Sequence, residues 1–463
     1  MIKIPRRVVE QVVLTFLNVD EIRSLLLSGA MICTKNLTFD QIEDQISILL
    51  PELFKQSISF HLKTASSYDL PSDKIEDYLE CLSNVPSLRY ISVHSSFESP
   101  FFFDYVGEFK QVQHVSLHNV VPFSLTPFMN CHSLTSFKYK CMSNPELIPD
   151  SIFSTIIKNN AGLVSLEFDT FSPVSRHEAL QICDAIKQLS HLTSLWFSPF
   201  VVMKQKNDDS DDDESDDESE KESDDESEKE SIQDKNLAEL IDAMLNSIRV
   251  HTNLEDLKLS YLLLESENAS FASCIRQLKK LKRLTIDQCK YSFEDAQELP
   301  EAFAELTNLE SLCLKVDHVD TQFWIAAGQS LPKLTKLTSL ELSGCASPDL
   351  GLNIKFLTKL QHLSLSHFSI TLGEVEKLVQ SFIHIPQLKS FKFFGVSLSP
   401  QSFQKLLQGV SKFKNLQSLK LMLPVGDYVR EEIRALSPKI WKLLNANQQL
   451  KEIHIASQNS AVH

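Results

Sequence analysis

"LTSLEL", residues 337–342, and "LQHLSL", residues 360–365, carry apolar side chains at the first, fourth and sixth positions of each hexapeptide. Ile, Val or Phe substitutes for Leu in further copies: "LRYISV" at Leu88, "VQHVSL" at Val112, "LTSFKY" at Leu134, "LVSLEF" at Leu163 and "LTSLWF" at Leu192. The series resumes with "LEDLKL" at Leu254, "LKRLTI" at Leu281 and "LESLCL" at Leu309. Beyond the quoted pair come "LKSFKF" at Leu388, "LQSLKL" at Leu416 and "LKEIHI" at Leu450, which makes thirteen copies. Successive spacings are 24, 22, 29, 29, 62, 27, 28, 28, 23, 28, 28 and 34 residues, so a unit near 28 recurs along the chain. Alternation within the hexapeptide predicts a short strand with its apolar side turned inward.

Between motifs the period changes from two to that of a helix. "RHEALQICDAIKQL", 176–189, puts Leu180, Cys183, Ile186 and Leu189 on one predicted helix face. "SPQSFQKLLQGVSKF", 399–413, does the same with Phe403, Leu406, Leu407 and Val410. A strand–helix unit of this size cannot bury its own apolar face, so consecutive units must stack. The pattern resembles the leucine-rich repeat family, in its ribonuclease-inhibitor-like form, over residues 88–455, with a further half-repeat at "SISFHL" (57–62). That resemblance implies an α/β solenoid of about thirteen repeats, bent into a horseshoe because helices occupy more room than strands. The short spacings predict a turn or extended segment in place of a helix. The family's Asn or Cys, five residues after the second leucine, is matched here by Cys289 and Cys345. Ser96, Val120, Phe171 and Leu262 replace it elsewhere, so its ladder of buried amide hydrogen bonds is mostly missing.

The 62-residue gap contains an interruption of another kind. "SDDESEKESDDESEKE", 215–230, is one octapeptide written twice. From Asp208 to Lys235 there are 17 acidic residues and 3 lysines, a net of −14 out of −16 for the chain, and the remainder is close to neutral. Removing about 201–233 restores the repeat register, with "LAELIDAMLNSIRVH" (237–251) as the missing helix. The block therefore reads as an insertion in a surface loop, where added length costs little. Its composition predicts disorder, since it has almost no apolar area to bury and its charges repel. The chain then divides into an N-terminal helical segment (1–54), repeats over 55–200, the acidic insert (201–235) and repeats over 236–463.

Ser210, Ser215, Ser219, Ser223, Ser227 and Ser231 each precede an acidic residue by three positions, which is similar to the acceptor pattern of casein kinase 2 and marks them as candidate phosphorylation sites. The insert is either a handle for basic proteins, a solvating loop, or a segment that docks on the chain's own basic patches.

Nine cysteines lack CxxC spacing, and their scatter predicts reduced thiols in a cytoplasmic or nuclear protein. No run approaches the ~18 apolar residues of a membrane span, and no secretory signal is evident. A phosphate-cradling glycine loop and metal-ligand spacing are both lacking, so no catalytic, cofactor or metal residue is expected. On the predicted strands the outward central column is polar and mixed in charge, which suits a protein partner on the concave face. Trp196, Lys258, Arg283, Lys392 and Lys420 are its candidate contacts. Trp196 either anchors an interface or packs beside Phe197 and Phe200. "RQLKKLKRL", 276–284, is a basic cluster without interleaved aromatics, which argues for a solvated rim or an anion contact and against nucleic acid.

Ahead of the repeats, "IPRRVVEQVVLTFLNVDEIRSLLLSGAMI", 4–32, resembles an F-box. Ile4-Pro5 matches the opening dipeptide, Val8, Val9, Val12 and Val13 the first apolar face, and Asp20-Glu21-Ile22 the acidic-apolar step. Leu25 and Leu27 fit the second face, while the family's late tryptophan is replaced near Ile32. The resemblance implies that Pro5, Val8, Val9, Val12, Ile22 and Leu26 meet the adaptor Skp1 while the repeats hold a substrate for a cullin-type ubiquitin ligase. Alternatively these helices only cap the stack. The expected function is thus a non-enzymatic interaction module, specifically a ligase substrate receptor, with an acidic scaffold or chaperone for basic nuclear proteins as the alternative.

Overall fold

The computed structural model describes residues 36–39, 59–63, 89–94, 111–118, 122–141, 149–170, 173–198, 201–202, 239–261, 263–264, 270–291, 293–316, 321–344, 353–367, 370–394, 398–424 and 449–458. The F-box-like stretch 4–32 and residues 203–235 of the acidic insert, with all six candidate phosphoserines, lie outside them. At the start of the insert, where disorder is expected, Val201–Val202 is a short strand paired with Pro173–Val174. Two compact units divide the chain, Met1–Ser227 and Glu228–His463.

Each unit is a leucine-rich repeat solenoid with a wholly parallel ladder. The first carries, in sequence order, β1 (Asn36–Phe39), β2 (Ser59–Lys63), β3 (Tyr90–His94), β4 (His114–His118), β5 (Ser136–Cys141), β6 (Ser165–Thr170) and β7 (Ser194–Phe197). The second carries β8 (Asp256–Ser260), β9 (Arg283–Asp287), β10 (Ser311–Lys315), β11 (Ser339–Ser343), β12 (His362–Ser366), β13 (Ser390–Phe394), β14 (Ser418–Pro424) and β15 (Glu452–Gln458). All thirteen hexapeptides form strands that begin at their third residue, and the half-repeat at 57–62 contributes β2. The ladder also reaches further back than the repeat pattern, since β1 pairs with β2 in register Asn36↔Ser59 through Phe39↔Leu62.

Register explains why the same three positions recur. Leu312 lies opposite Leu340, and Leu340 opposite Leu363. All three are at most 2% exposed. The first leucine of the motif is buried too, as Leu281, Leu309 and Leu337 show. The residue three places before it closes a turn, with Leu281, Leu309 and Leu337 donating their N–H to the carbonyls of Leu278, Leu306 and Leu334. Four apolar columns thus stack from repeat to repeat. Asn160 occupies one such column position. Its side chain is buried but satisfied, accepting from Leu134 N at 2.8 Å and donating to the Cys131 and Ile156 carbonyls at 2.8 Å each.

Main-chain hydrogen bonds fasten the repeats along two seams. Just before eleven of these strands, β4–β7 and β9–β15, two consecutive N–H groups share one carbonyl of the preceding repeat. Thr193 and Ser194 donate to Val164 O, and Thr338 and Ser339 donate to Glu310 O, all at 2.8–3.1 Å. Just after four strands of the second unit, a residue with positive φ turns its N–H toward the following repeat. These are Tyr261 (57°), Gln288 (53°), Gly344 (80°) and His367 (56°), which donate to Asp287, Lys315, Ser366 and Phe394 carbonyls. These backbone bonds join successive repeats where, among the described residues, no side-chain amide does. Three of the four residues are not glycine, and each holds a left-handed conformation at some cost.

Helices or 3-10 segments pack behind the strands. They include α1 (Ile152–Asn159), α2 (Arg176–Lys187), α3 (239–249), α4 (Phe271–Gln277), α5 (Phe293–Ala304), α6 (Thr321–Ser330), α7 (Leu372–Ser381) and α8 (Pro400–Val410). Side chains of Ser175, Ser270, Thr371 and Ser399 accept from the helix N3 amide, and Thr371 with Glu374 completes a capping box. α8 buries Phe403, Leu406, Leu407 and Val410 as its pattern predicts. α3 buries Leu240, Ile241, Met244, Leu245 and Ile248, and so fills the helix place downstream of the acidic insert.

Two local expectations are corrected. The inner face of α2 is built on Ala179, Ile182, Cys183 and Ile186, with Leu180 only half-buried, because Glu178 also points inward. The 22-residue repeat uses the 3-10 helix Pro122–Asn130 rather than a turn or an extended segment, burying Leu125 and Phe128.

Candidate functional site

Alternation that buries positions four and six of each motif turns positions three, five and seven outward, on the strand face opposite the helices. In the first unit position five runs Ser92↔Ser116↔Lys138↔Glu167↔Trp196 across adjacent strands. Lys138 Nζ meets Glu167 Oε2 at 3.2 Å, and at position seven Lys140 Nζ meets Asp169 Oδ2 at 3.1 Å. The same Lys140 ammonium stands 5.2 Å from the centroid of the Trp196 ring. Trp196 is therefore on the outward side, half-buried under a cation, while Phe197 beside it is buried on the opposite side. At the other end of the face, Tyr90 and His114 lie ring to ring with centroids 6.0 Å apart, and Ser116 Oγ is 3.2 Å from His118 Nε2.

In the second unit position five runs Lys258↔Thr285↔Cys313↔Glu341↔Ser364↔Lys392↔Lys420↔His454. Arg283 is at position three, where its Nε meets Asp256 Oδ2 at 2.9 Å. Lys315 reaches Glu341 at 3.1 Å and Asp287 at 3.7 Å, and Lys420 reaches Glu452 at 2.7 Å. Cys313 sits among these charges, and burial, followed by the Glu341 carboxylate, pushes its thiol up to about 12. The thiol is thereby held in its neutral form at neutral pH. Of the five candidate contacts, the ladder places Lys258, Arg283, Lys392 and Lys420 on the face of the second unit and Trp196 on that of the first.

The basic cluster at 276–284 is largely neutralised by its neighbours. Arg276 faces Glu298 and Glu301 on α5 and Glu305 just after it, with Nη1 2.8 Å from Glu298 Oε2. Lys279 pairs with Glu305, Lys282 with Glu255 at 2.8 Å, and Lys280 donates to Asn253. Among the described residues no group of three or more His, Cys, Asp or Glu is placed to hold a metal ion, and no helix is long and apolar enough to cross a membrane. Cys131, Cys141, Cys183, Cys274 and Cys289 are buried and form no disulfide among the described residues.

No protein-family model matches the chain, and no curated protein matches it. Among solved structures it is similar to a leucine-rich repeat protein of Leptospira interrogans, at 17% identity and a TM-score of 0.40 over 90% of this chain and 97% of that one. It is also similar to internalin C2 of Listeria monocytogenes, at 15% identity and a TM-score of 0.27 over 47% of this chain and 83% of that one. The leucine-rich repeat architecture itself is read from the strand ladder and the repeat period.

Proposed function

We propose that the protein is a non-catalytic module that binds a protein partner on the outward strand face. One observation carries this reading: positions three, five and seven form polar columns with a half-buried tryptophan and several cations, on the side of the sheet opposite the core. A row of side chains spaced by one strand, about 4.8 Å apart, matches an extended protein surface better than a small molecule. Photo-crosslinking tests it. A benzophenone side chain replacing Ser339 on the face should trap protein adducts in cells, and one replacing Lys412 behind the sheet should not. Adducts from Lys412 alone would overturn the reading.

The finer reading is that the bound protein is a substrate held for a cullin-type ubiquitin ligase. Its support is the F-box-like sequence at 4–32, with Pro5, Val8, Val9, Val12, Ile22 and Leu26 meeting Skp1. Skp1 should co-purify with the full chain and be lost on removal of residues 1–40, or on charged replacement of Val9 and Ile22. If the adaptor is never recovered with the intact chain, the ligase reading falls. The acidic block, net −14, supports a second reading in which the protein is a scaffold for basic proteins such as histones. That reading requires the insert for capture, which deletion of 203–233 tests.

A further inference from the structure

On the face of the second unit the charges sort into two groups. Toward β8–β11 acids and bases neutralise one another: Asp256 with Arg283, and Asp287 and Glu341 with Lys315. Toward β13 they do not. Lys392 is directly opposite Lys420 in the parallel register and opposite Ser364 on its other side. Like charges facing each other across adjacent strands are unfavourable. Lys420 resolves its share by turning to Glu452 on β15, at 2.7 Å. Lys392 has no carboxylate within ion-pair range among the described residues, nor has the exposed Lys389 just before the same strand. His362, exposed on β12, is diagonal to Lys392. Its imidazole is held below the ordinary value, first by partial burial and then by the Lys389 and Lys392 charges. The local field is thus positive and unbalanced. Around it lie the hydroxyl-bearing Ser364, Ser366 and Ser390, and the half-exposed ring of Phe394.

From the unpaired Lys392 and Lys389, the opposing Lys420 and the exposed His362, we infer that the β12–β14 face docks an acidic, carboxylate-bearing segment of a partner protein. The inference rests on the reading of this face as a protein-binding surface and names the chemistry it takes. A carboxylate over Lys392 would supply the anion that the ladder leaves out there. It would also relieve the Lys392–Lys420 repulsion, and hydroxyls and an aromatic ring flank it as they flank many interface anchors. A run of such charges at an unbalanced position is the kind of local conflict that folded proteins retain where binding needs it.

The test uses the full chain and a fluorescein-labelled peptide of alternating glutamate and glycine, followed by anisotropy, with a lysine–glycine peptide of the same length as control. Saturable binding of the glutamate peptide is expected, weakening as salt is added, with little binding of the lysine peptide. Lys392→Glu should weaken it at least about tenfold, the equivalent of roughly 1.4 kcal/mol, while Lys392→Arg keeps it. Bound peptide should raise the pKa of His362 in an NMR titration. Equal binding by wild type and Lys392→Glu overturns the inference, since the acidic segment then sits elsewhere. So does absence of binding to the wild type. If Ser339 still crosslinks a partner in that case, only the acidic chemistry is wrong and the binding-face reading stands. Lys392 is outward and its neighbours in the core are Phe391 and Phe393, both fully buried, so the charge reversal leaves the fold intact.

Discussion

Glu178, at the start of α2, closes the helix of the repeat before it through Ser154. Its carboxylate accepts from Ser154 N at 3.0 Å, from Ser154 Oγ at 2.9 Å and from Ser151 N at 2.7 Å, and the side chain is fully buried. The N-terminal amides of α1 are thus satisfied by the next repeat, since Ser151 itself makes no side-chain cap and holds φ at 69°. Glu178→Ala would leave these donors buried without an acceptor and should cost about 2–4 kcal/mol. Urea denaturation read on the first unit measures it. A loss under about 1 kcal/mol would mean that water replaces the carboxylate.

The apolar columns give a second prediction. Leu340 is 1% exposed with Leu312 and Leu363 on either side, so Leu340→Ala should cost about 2–5 kcal/mol. The same change at Leu180, half-buried on α2, should cost clearly less. Chemical denaturation of both variants checks the order.

Gly409 in α8 is a case where helix propensity gives the wrong sign. A Cβ there would lie 2.6 Å and 2.7 Å from the two methyl carbons of Val379 on α7. Alanine gains about 1 kcal/mol of helix propensity, but Val379 has few rotamers by which to move away. Gly409→Ala should therefore destabilise by about 1–3 kcal/mol. In a Val379→Ala background the same change should become neutral or stabilising, and a double-mutant cycle detects the difference.

The thiols predict a chemical outcome. Burial lifts Cys131 to about 11 and Cys183 to about 12, and Cys313 likewise stands at about 12. Folded protein at pH 8 should leave all three unmodified by iodoacetamide while denatured protein reacts, as mass spectrometry of digests would show. Rapid labelling of Cys313 in the folded chain would contradict its placement between Thr285 and Glu341.

His362 gives the pH dependence. Its folded pKa is lowered from the ordinary 6.5, so the unfolded chain takes up the proton first as the pH falls. Its contribution to stability is complete above about 6.5 and diminishes as the pH drops through the folded value. Lys392→Gln removes one of the two neighbouring charges and should raise the His362 pKa, measured from its ring proton shifts.

Much of this architecture is legible in the sequence because each hexapeptide states both its strand and its buried side. Leu312, Leu340 and Leu363 align by counting alone. What is not legible depends on neighbours some 28 residues away. Glu178 is an acid in a helical pattern, and nothing local marks it as inward, so the face of α2 is read one position out. β1 is four residues without the L-x-x-L frame and exists only through its pairing with β2. Tyr261, Gln288 and His367 give no glycine signal for their left-handed conformations. On the face, the outward column follows from alternation, but which of its cations are spent does not. Lys392 and Lys420 look alike in sequence, and only the diagonal reach of Glu452 separates them.

The two main-chain seams have a consequence for inheritance. Before eleven of the described strands the donors point to the repeat behind, and after four strands of the second unit a donor points to the repeat ahead, each time through backbone groups at equivalent positions. A segment of about 28 residues excised or duplicated in frame within that stretch of the second unit would therefore meet matching acceptors at both cuts, whatever side chains it carries outward. That part of the array behaves as a string of cassettes, in which the residues that choose a partner can drift or be shuffled without renegotiating the backbone joints, a freedom that the side-chain joint of Glu178 to Ser154 in the first unit does not share.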